Sequence, residues 1–134
     1  MTTDTILPDL QVSAYQAPLN IEPASAESGI VYLLHLERPL SPDHTAQHYL
    51  GWTSDLAARA QAHRAGGGAR FTEVAVEREI SFCVVRAWYG GRDFERRLKR
   101  RKEAPRLCPL CGPALGVFHN ELSPEALVDA LIAW

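Results

Sequence analysis

The stretch Tyr49-Leu50-Gly51-Trp52-Thr53-Ser54-Asp55-Leu56, followed by Arg59 and His63, decides the fold. It predicts the end of a strand, a tight glycine turn, and the start of a helix capped by Ser54 or Asp55. Arg59 and His63 are four residues apart, so they lie on one face of that helix. A tyrosine at a strand end that faces an arginine and a histidine suggests a site where an anionic substrate reacts with transfer of a proton.

Apolar patterning on either side of this stretch predicts the remaining elements. The strands are predicted at Ile30–Leu36, Gln47–Gly51 and Glu79–Trp88, and the helices at about Asp55–Ala65, Arg92–Glu103 and Ala126–Trp134. We therefore expect an α+β fold, in which a small three-stranded antiparallel sheet is flanked by helices. The expected core has the order ββαβα, and a C-terminal helix is added to it.

Length and composition indicate one globular domain. The chain has 134 residues, of which 46% are hydrophobic and 22% are charged, and no apolar run approaches the roughly 20 residues of a membrane span. The first ten residues lack a basic segment, so we do not expect a secretory signal. Three cysteines without such a signal argue against a disulfide framework. We expect a cytoplasmic protein that has no contact with a membrane.

The net charge of −2 conceals an uneven distribution. Residues 1–50 carry one basic residue against six acidic ones, whereas residues 51–106 carry 13 basic residues against seven acidic ones. The basic residues are densest in the run 96–102, and such a run supports binding to a phosphate backbone. The alternative is a solvated helix face whose arginines cover apolar surface. The candidate phosphate contacts, which would position a nucleic acid without recognising its sequence, are Arg70, Arg96, Arg97, Arg100 and Arg101.

Short motifs in this order resemble the GIY-YIG nuclease family. The first motif appears as Gly29-Ile30-Val31-Tyr32, and the second appears as Tyr49-Leu50-Gly51. The family's helix arginine and histidine match Arg59 and His63, and a Gly-Ala-x-x-Thr stretch spans 68–72. The family's metal-binding glutamate matches Glu95, which is followed by Leu98 and Lys99. The resemblance covers residues 29–106. It departs from small family members in one extra residue within the first motif and in an insertion at about 38–47.

This resemblance implies a metal-dependent endonuclease that hydrolyses phosphodiester bonds in DNA with a single Mg²⁺ or Mn²⁺ ion. It divides the chain into an acidic extension (1–28), a catalytic domain (29–106), and a C-terminal turn and helix packed on the same domain (107–134). So small a catalytic domain is expected to need a protein partner or an appended module to choose its target.

The chemistry of the matched residues agrees with this activity. Glu95 is the metal-ligand candidate, because Mg²⁺ is commonly held by one carboxylate and several waters; the alternative is an ion pair with Lys99. Arg59 would bind the phosphate through its planar donors.

Two tyrosines are candidates for the proton transfer. Tyrosine has an ordinary pKa of ~10, so a neighbouring cation would have to favour the phenolate. We favour Tyr49 as the base, with Tyr32 orienting the water or phosphate, and the alternative is that both tyrosines pack at the edge of the core. His63 would bond a phosphate oxygen or a tyrosine hydroxyl, or else face solvent.

The motif Cys108-Pro109-Leu110-Cys111-Gly112 is half of a candidate structural zinc site. His119 is a candidate third ligand, whereas Cys83 is expected in the core. The alternative is a reduced pair that packs a turn. Two rival functions follow from the sequence: a nucleic-acid-binding module without catalysis, and a zinc-stabilised interaction protein built on residues 107–134.

Overall fold

The computed structural model describes residues 28–132 of the chain. Three strands and five helices follow one another in this range: β1 (Gly29–Leu36), β2 (His48–Thr53), α1 (Leu56–Arg64), α2 (Arg70–Glu77), β3 (Phe82–Gly90), α3 (Arg92–Arg101), α4 (Ala104–Leu107) and α5 (Pro124–Ile132). The α+β class and the small three-stranded antiparallel sheet are confirmed. Residues 1–27 of the expected acidic extension, and Trp134 of the expected last helix, lie outside the described residues.

The central strand of the sheet is β1, which pairs antiparallel with β2 on one side and with β3 on the other. In the β1–β2 pair, His35 lies opposite His48, and Leu34 lies opposite Tyr49. Because alternate residues of a strand point to opposite faces, the two histidines share one face of the sheet. Tyr32 and Tyr49 share the other face.

Each face of the sheet buries its own apolar cluster. On the histidine face, Val31 and Leu33 pack with Leu98 of α3 and Leu107 of α4. The tyrosine face packs against α1 and α5, through the residues Leu34, Leu56, Ala87, Leu122, Leu127 and Leu131. Since β1 is covered on both faces, its sequence is almost continuously apolar rather than alternating.

The expected order ββαβα is incomplete, because helix α2 (Arg70–Glu77) precedes β3. The Gly-Ala-x-x-Thr stretch therefore leads into a helix, which packs Ala75 against Leu36 and Leu40. Strand β3 begins at Phe82 rather than at Glu79, which has a φ of 59° in the turn after α2.

A buried arginine holds the chain that follows α4 against the sheet. All five N–H groups of Arg86 are used: they donate to the backbone carbonyls of Leu107, Leu115 and Gly116 and to both carboxylate oxygens of Glu121. The guanidinium also lies 5.2 Å from the ring centroids of both Trp88 and Phe118. Within residues 28–132, no helix has the length and apolar character needed to cross a bilayer.

Candidate active site and metal cluster

The hydroxyl of Tyr32 is the centre of a buried hydrogen-bond network. It lies 2.7 Å from Nε2 of His63, and it accepts a hydrogen bond of 3.4 Å from Nε of Arg59. Nδ1 of His63 lies 2.7 Å from the hydroxyl of Thr72. Tyr32 comes from β1, Arg59 and His63 from α1, and Thr72 from α2, so the network joins three elements.

The direction of each hydrogen bond in this network follows from the bond that Thr72 donates. The hydroxyl of Thr72 donates its single proton to the carbonyl of Ala69, at 3.1 Å. It must therefore accept from Nδ1–H of His63, which leaves Nε2 as an acceptor. Tyr32 then donates to His63 and receives from Arg59. These directions correspond to a neutral His63 that is protonated on Nδ1.

Burial supports the same protonation state. His63 is fully buried, and its burial together with the positive charge of Arg59 lowers its pKa to about 4. Burial raises the pKa of Tyr32 above its usual value, although the hydrogen bond from Arg59 opposes this change. The proton between the two side chains thus belongs to Tyr32 at neutral pH. Of the roles expected for His63, the bond to a tyrosine hydroxyl is present, and the solvent-facing alternative is wrong.

The second tyrosine lies beside this network in a less enclosed position. Tyr49 is half-buried, with its ring centroid 6.3 Å from that of Tyr32 and 5.5 Å from that of His63. Its ring stacks on Phe71 of α2 at 5.9 Å. The guanidinium of Arg59 also lies near the Tyr49 hydroxyl. Arg59 therefore lies beside both tyrosines.

Gly51 is required for a different structural reason from the tight turn that the sequence predicts. It lies inside β2 and not in a turn, directly opposite Tyr32 in the register. A Cβ atom at this position would lie 2.5 Å from the hydroxyl oxygen of Tyr32 and 2.8 Å from the ring of Tyr49. Glycine is required here because the Tyr32 side chain crosses the backbone of β2 to reach α1.

Burial is the main cause of the raised pKa of Tyr32, and a smaller cause is the negative charge of Glu95 on α3. The residue is only 8% exposed. Its carboxylate pairs with Lys99 at 3.1 Å and with Arg92 at 4.0 Å, so the ion pair considered as an alternative from the sequence is present. The ammonium group of Lys99 lies 5.9 Å from the centroid of the Tyr49 ring.

Glu95 offers a single carboxylate to a hydrated Mg²⁺ or Mn²⁺ ion, and that carboxylate is already paired with Lys99 and Arg92. No group of three metal-ligating side chains surrounds Glu95 within the described part of the chain. A lone carboxylate that leaves most of the coordination to water and substrate phosphate is a mode that Mg²⁺ accepts. Glu95 would exchange its contact with Lys99 or Arg92 for the ion.

The arginines of α3 are exposed, unlike Glu95 and Leu98 of the same helix. Their neighbours differ: Arg96 pairs with Asp93, Arg101 pairs with Glu103 at 2.8 Å, Arg97 lies over the ring of Phe94 at 5.6 Å, and Arg70 on α2 pairs with Glu73 at 2.8 Å. Arg100 has no ion-pair partner among residues 28–132. The structure therefore leaves Arg97 and Arg100 as the freest cations of the expected phosphate-binding set.

A second cluster lies on the opposite face of the sheet. His35, His48, Cys108 and Cys111 each present one ligand atom, and these atoms all lie within 4.8 Å of one another, so the group could hold a metal ion. Sequence reasoning identified the two cysteines and missed both histidines. The feature that could have revealed the histidines is the pairing of β1 with β2. The two strands are joined by an 11-residue connection, and their pairing brings the two histidines opposite each other.

Two expectations about this cluster are wrong. His119 is exposed and is not part of the group. Cys83 is exposed rather than in the core, although it lies opposite His35 in the pairing of β1 with β3. Burial and the neighbouring Cys108 raise the pKa of the Cys83 thiol.

Comparisons with known proteins find no matching family model, no similar curated protein and no similar solved structure. The resemblance to GIY-YIG nucleases therefore rests on the motifs and on the side chains described above.

Proposed function

We propose that this chain is a metal-dependent endonuclease of the GIY-YIG type that hydrolyses phosphodiester bonds in DNA. The observation that carries the proposal is the convergence of Tyr32, Tyr49, Arg59 and His63 around one hydroxyl network, with Glu95 beside it. These are the five residues that the motifs single out. They come from two strands and two helices, and a purely structural role would not require that they meet.

Each of these side chains has a distinct task in the proposed reaction. Arg59 retains donors that can bind a non-bridging phosphate oxygen, where negative charge grows in the transition state. His63 is neutral and holds the Tyr32 hydroxyl in a single orientation. Tyr49, which is less enclosed than Tyr32, takes the proton of the attacking water, and the charged groups of Arg59 and Lys99 lie beside it.

Glu95 is the proposed ligand of a single Mg²⁺ or Mn²⁺ ion. Such an ion would polarise the phosphate and help the leaving oxygen. Lys99 and Arg92 hold the carboxylate in place until the ion binds. A structural zinc ion at Cys108 and Cys111 also remains a proposal, separate from the catalytic ion.

The test is cleavage of supercoiled plasmid and of a branched DNA by the purified protein. Mg²⁺ or Mn²⁺ is added to one sample and omitted from its matched control, and no chelator is used, so the His/Cys cluster is undisturbed. We expect nicking only with the added ion, and much weaker nicking by Tyr49→Phe. Salt-sensitive DNA binding without cleavage of either substrate would overturn the proposal in favour of a non-catalytic binding module.

A further inference from the structure

The His/Cys cluster joins parts of the chain that are far apart in sequence. Sγ of Cys108 lies 3.4 Å from Nδ1 of His35, and Sγ of Cys111 lies 3.3 Å from Nε2 of His48. These pairs are separated by 73 and 63 residues, respectively. The cluster therefore connects the loop end of the β1–β2 hairpin to the segment that follows α4.

The distances match the edges of a tetrahedron around a zinc ion. With zinc bonds of about 2.05 Å to nitrogen and about 2.3 Å to sulfur, the edges are about 3.3 Å between two nitrogens and about 3.6 Å between nitrogen and sulfur. The two imidazole nitrogens are 3.3 Å apart, and the nitrogen–sulfur distances given by the structure are 3.3, 3.4 and 3.7 Å.

The chemistry of the four side chains also favours zinc. Two thiolates and two neutral imidazoles are a common donor set of structural zinc sites, whereas Mg²⁺ and Mn²⁺ prefer oxygen ligands. Four protein ligands complete a tetrahedron and leave no open position for water. Such a site holds parts of a chain together and does not activate a substrate.

We propose that His35, His48, Cys108 and Cys111 bind one structural zinc ion that fastens the C-terminal segment to the β1–β2 hairpin. The segment needs such a fastening, because residues 109–117 are exposed and form neither helix nor strand. Cys108 is fully buried beneath this segment, in the same apolar cluster as Leu33 and Leu107. Zinc adds a second attachment to the one that Arg86 provides further along.

The proposal does not depend on nuclease activity. His35 and His48 lie on the face of the sheet opposite to Tyr32 and Tyr49, so the zinc would not contact the proposed catalytic groups. The proposed zinc ion and the proposed Mg²⁺ or Mn²⁺ ion also have different ligands. The zinc proposal and the nuclease proposal can therefore fail separately.

Zinc content and stability of the full chain, measured without DNA, test the inference. We expect about one equivalent of zinc in protein purified from zinc-supplemented cells, and visible absorption of tetrahedral thiolate-bound cobalt after exchange with Co²⁺. Cys111→Ser removes an exposed ligand and is expected to lower zinc affinity at least about 100-fold, more than the loss of an outer-shell partner does. His48→Gln should act in the same direction.

The controls are Cys83→Ser, beside the cluster, and His119→Gln, the other candidate from the sequence; both should keep the full equivalent of zinc. A strong chelator should lower the melting temperature of the wild type and of these controls, but not that of Cys111→Ser. Less than a tenth of an equivalent, no cobalt absorption and a chelator-insensitive melting temperature would together show a hydrogen-bonded cluster without metal. Loss of zinc in Cys83→Ser would contradict the proposed ligand set.

Discussion

The protonation of His63 links the hydrogen-bond network of Tyr32 to the stability of the protein. His63 has a pKa of about 4 when folded and an ordinary pKa near 6.5 when unfolded, so the unfolded chain binds the extra proton between these values. Stability is therefore lost as the pH falls from about 6.5 toward 4. Between pH 7 and pH 5 we expect His63 alone to remove about 2 kcal/mol from the free energy of unfolding.

The check is denaturant unfolding of the metal-free wild type and of metal-free His63→Gln at both pH values. Glutamine can replace the donor and the acceptor of imidazole but does not titrate, so its pH dependence should be smaller by about 2 kcal/mol. The remaining titrating groups are common to both proteins and cancel in the comparison. Equal pH dependence would mean that His63 is not held neutral.

The close approach of Tyr32 to Gly51 gives a second prediction. Gly51→Ala introduces a Cβ atom 2.5 Å from the Tyr32 hydroxyl, so the ring must move away from His63. We expect a loss of about 1–3 kcal/mol in the free energy of unfolding, measured with denaturant. In Gly67→Ala the new atom meets only a carbonyl oxygen at 3.8 Å, and this control should stay close to the wild type. A Gly51→Ala variant of unchanged stability would contradict the described packing.

Single residues of the candidate active site could be predicted because short motifs fix their type and spacing. The sequence did not reveal how they are connected. Thr72 was part of a motif, but nothing in its spacing indicated a bond to His63. Glu95 differs from Thr72, because its helical spacing from Lys99 does predict a contact. The predicted ion pair is present in the structure, but it does not test the role of Glu95 as a metal ligand.

At the scale of elements, Arg86 attaches the segment after α4 to strand β3. Arg86→Lys keeps the charge but cannot supply five donors, so buried carbonyls and Glu121 lose their partners. We expect a loss of about 3 kcal/mol in the free energy of unfolding and faster proteolysis within residues 107–121. Arg106→Lys, an exposed site, is the matched control. Unchanged stability and proteolysis in Arg86→Lys would contradict this attachment.

The exposed face of α3 is the element that we expect to bind the phosphate backbone. Arg97→Gln combined with Arg100→Gln should weaken DNA binding and reduce the slope of log affinity against log salt by about 2, since each phosphate contact contributes about 0.9. Arg70→Gln should have a smaller effect, because Arg70 is already paired with Glu73 and Glu77. A stronger effect of Arg70→Gln, measured by fluorescence anisotropy at several salt concentrations, would place the DNA against α2 instead.

Most elements could be predicted from apolar periodicity, and α2 was missed although its pattern was present. Phe71, Val74 and Ala75 have the spacing of a helix face. The residue before the helix, Ala69, has no side chain that can cap it, so the usual start signal is absent. The strand pairing that brings His35 to His48 depends on the register of the whole hairpin, which local patterns do not specify.

In the whole molecule, the two tyrosines of the proposed active site and the two histidines of the proposed zinc site lie on opposite faces of the same two strands. The net charge of −2 is compatible with DNA binding because the basic residues gather in the middle of the chain and on α3. The arrangement separates a basic surface, the proposed catalytic network and the proposed zinc cluster within one small fold.

The measurement that tests the central claim most directly compares Glu95→Gln with Asp93→Asn in Mg²⁺-dependent cleavage of plasmid and branched DNA. Both changes remove one carboxylate from the first turn of α3, but only Glu95 lies beside the tyrosine network. We predict that Glu95→Gln loses at least about 100-fold in cleavage rate while DNA affinity stays within a few-fold, and that Asp93→Asn retains its activity. Equal cleavage by the wild type and Glu95→Gln would contradict the account.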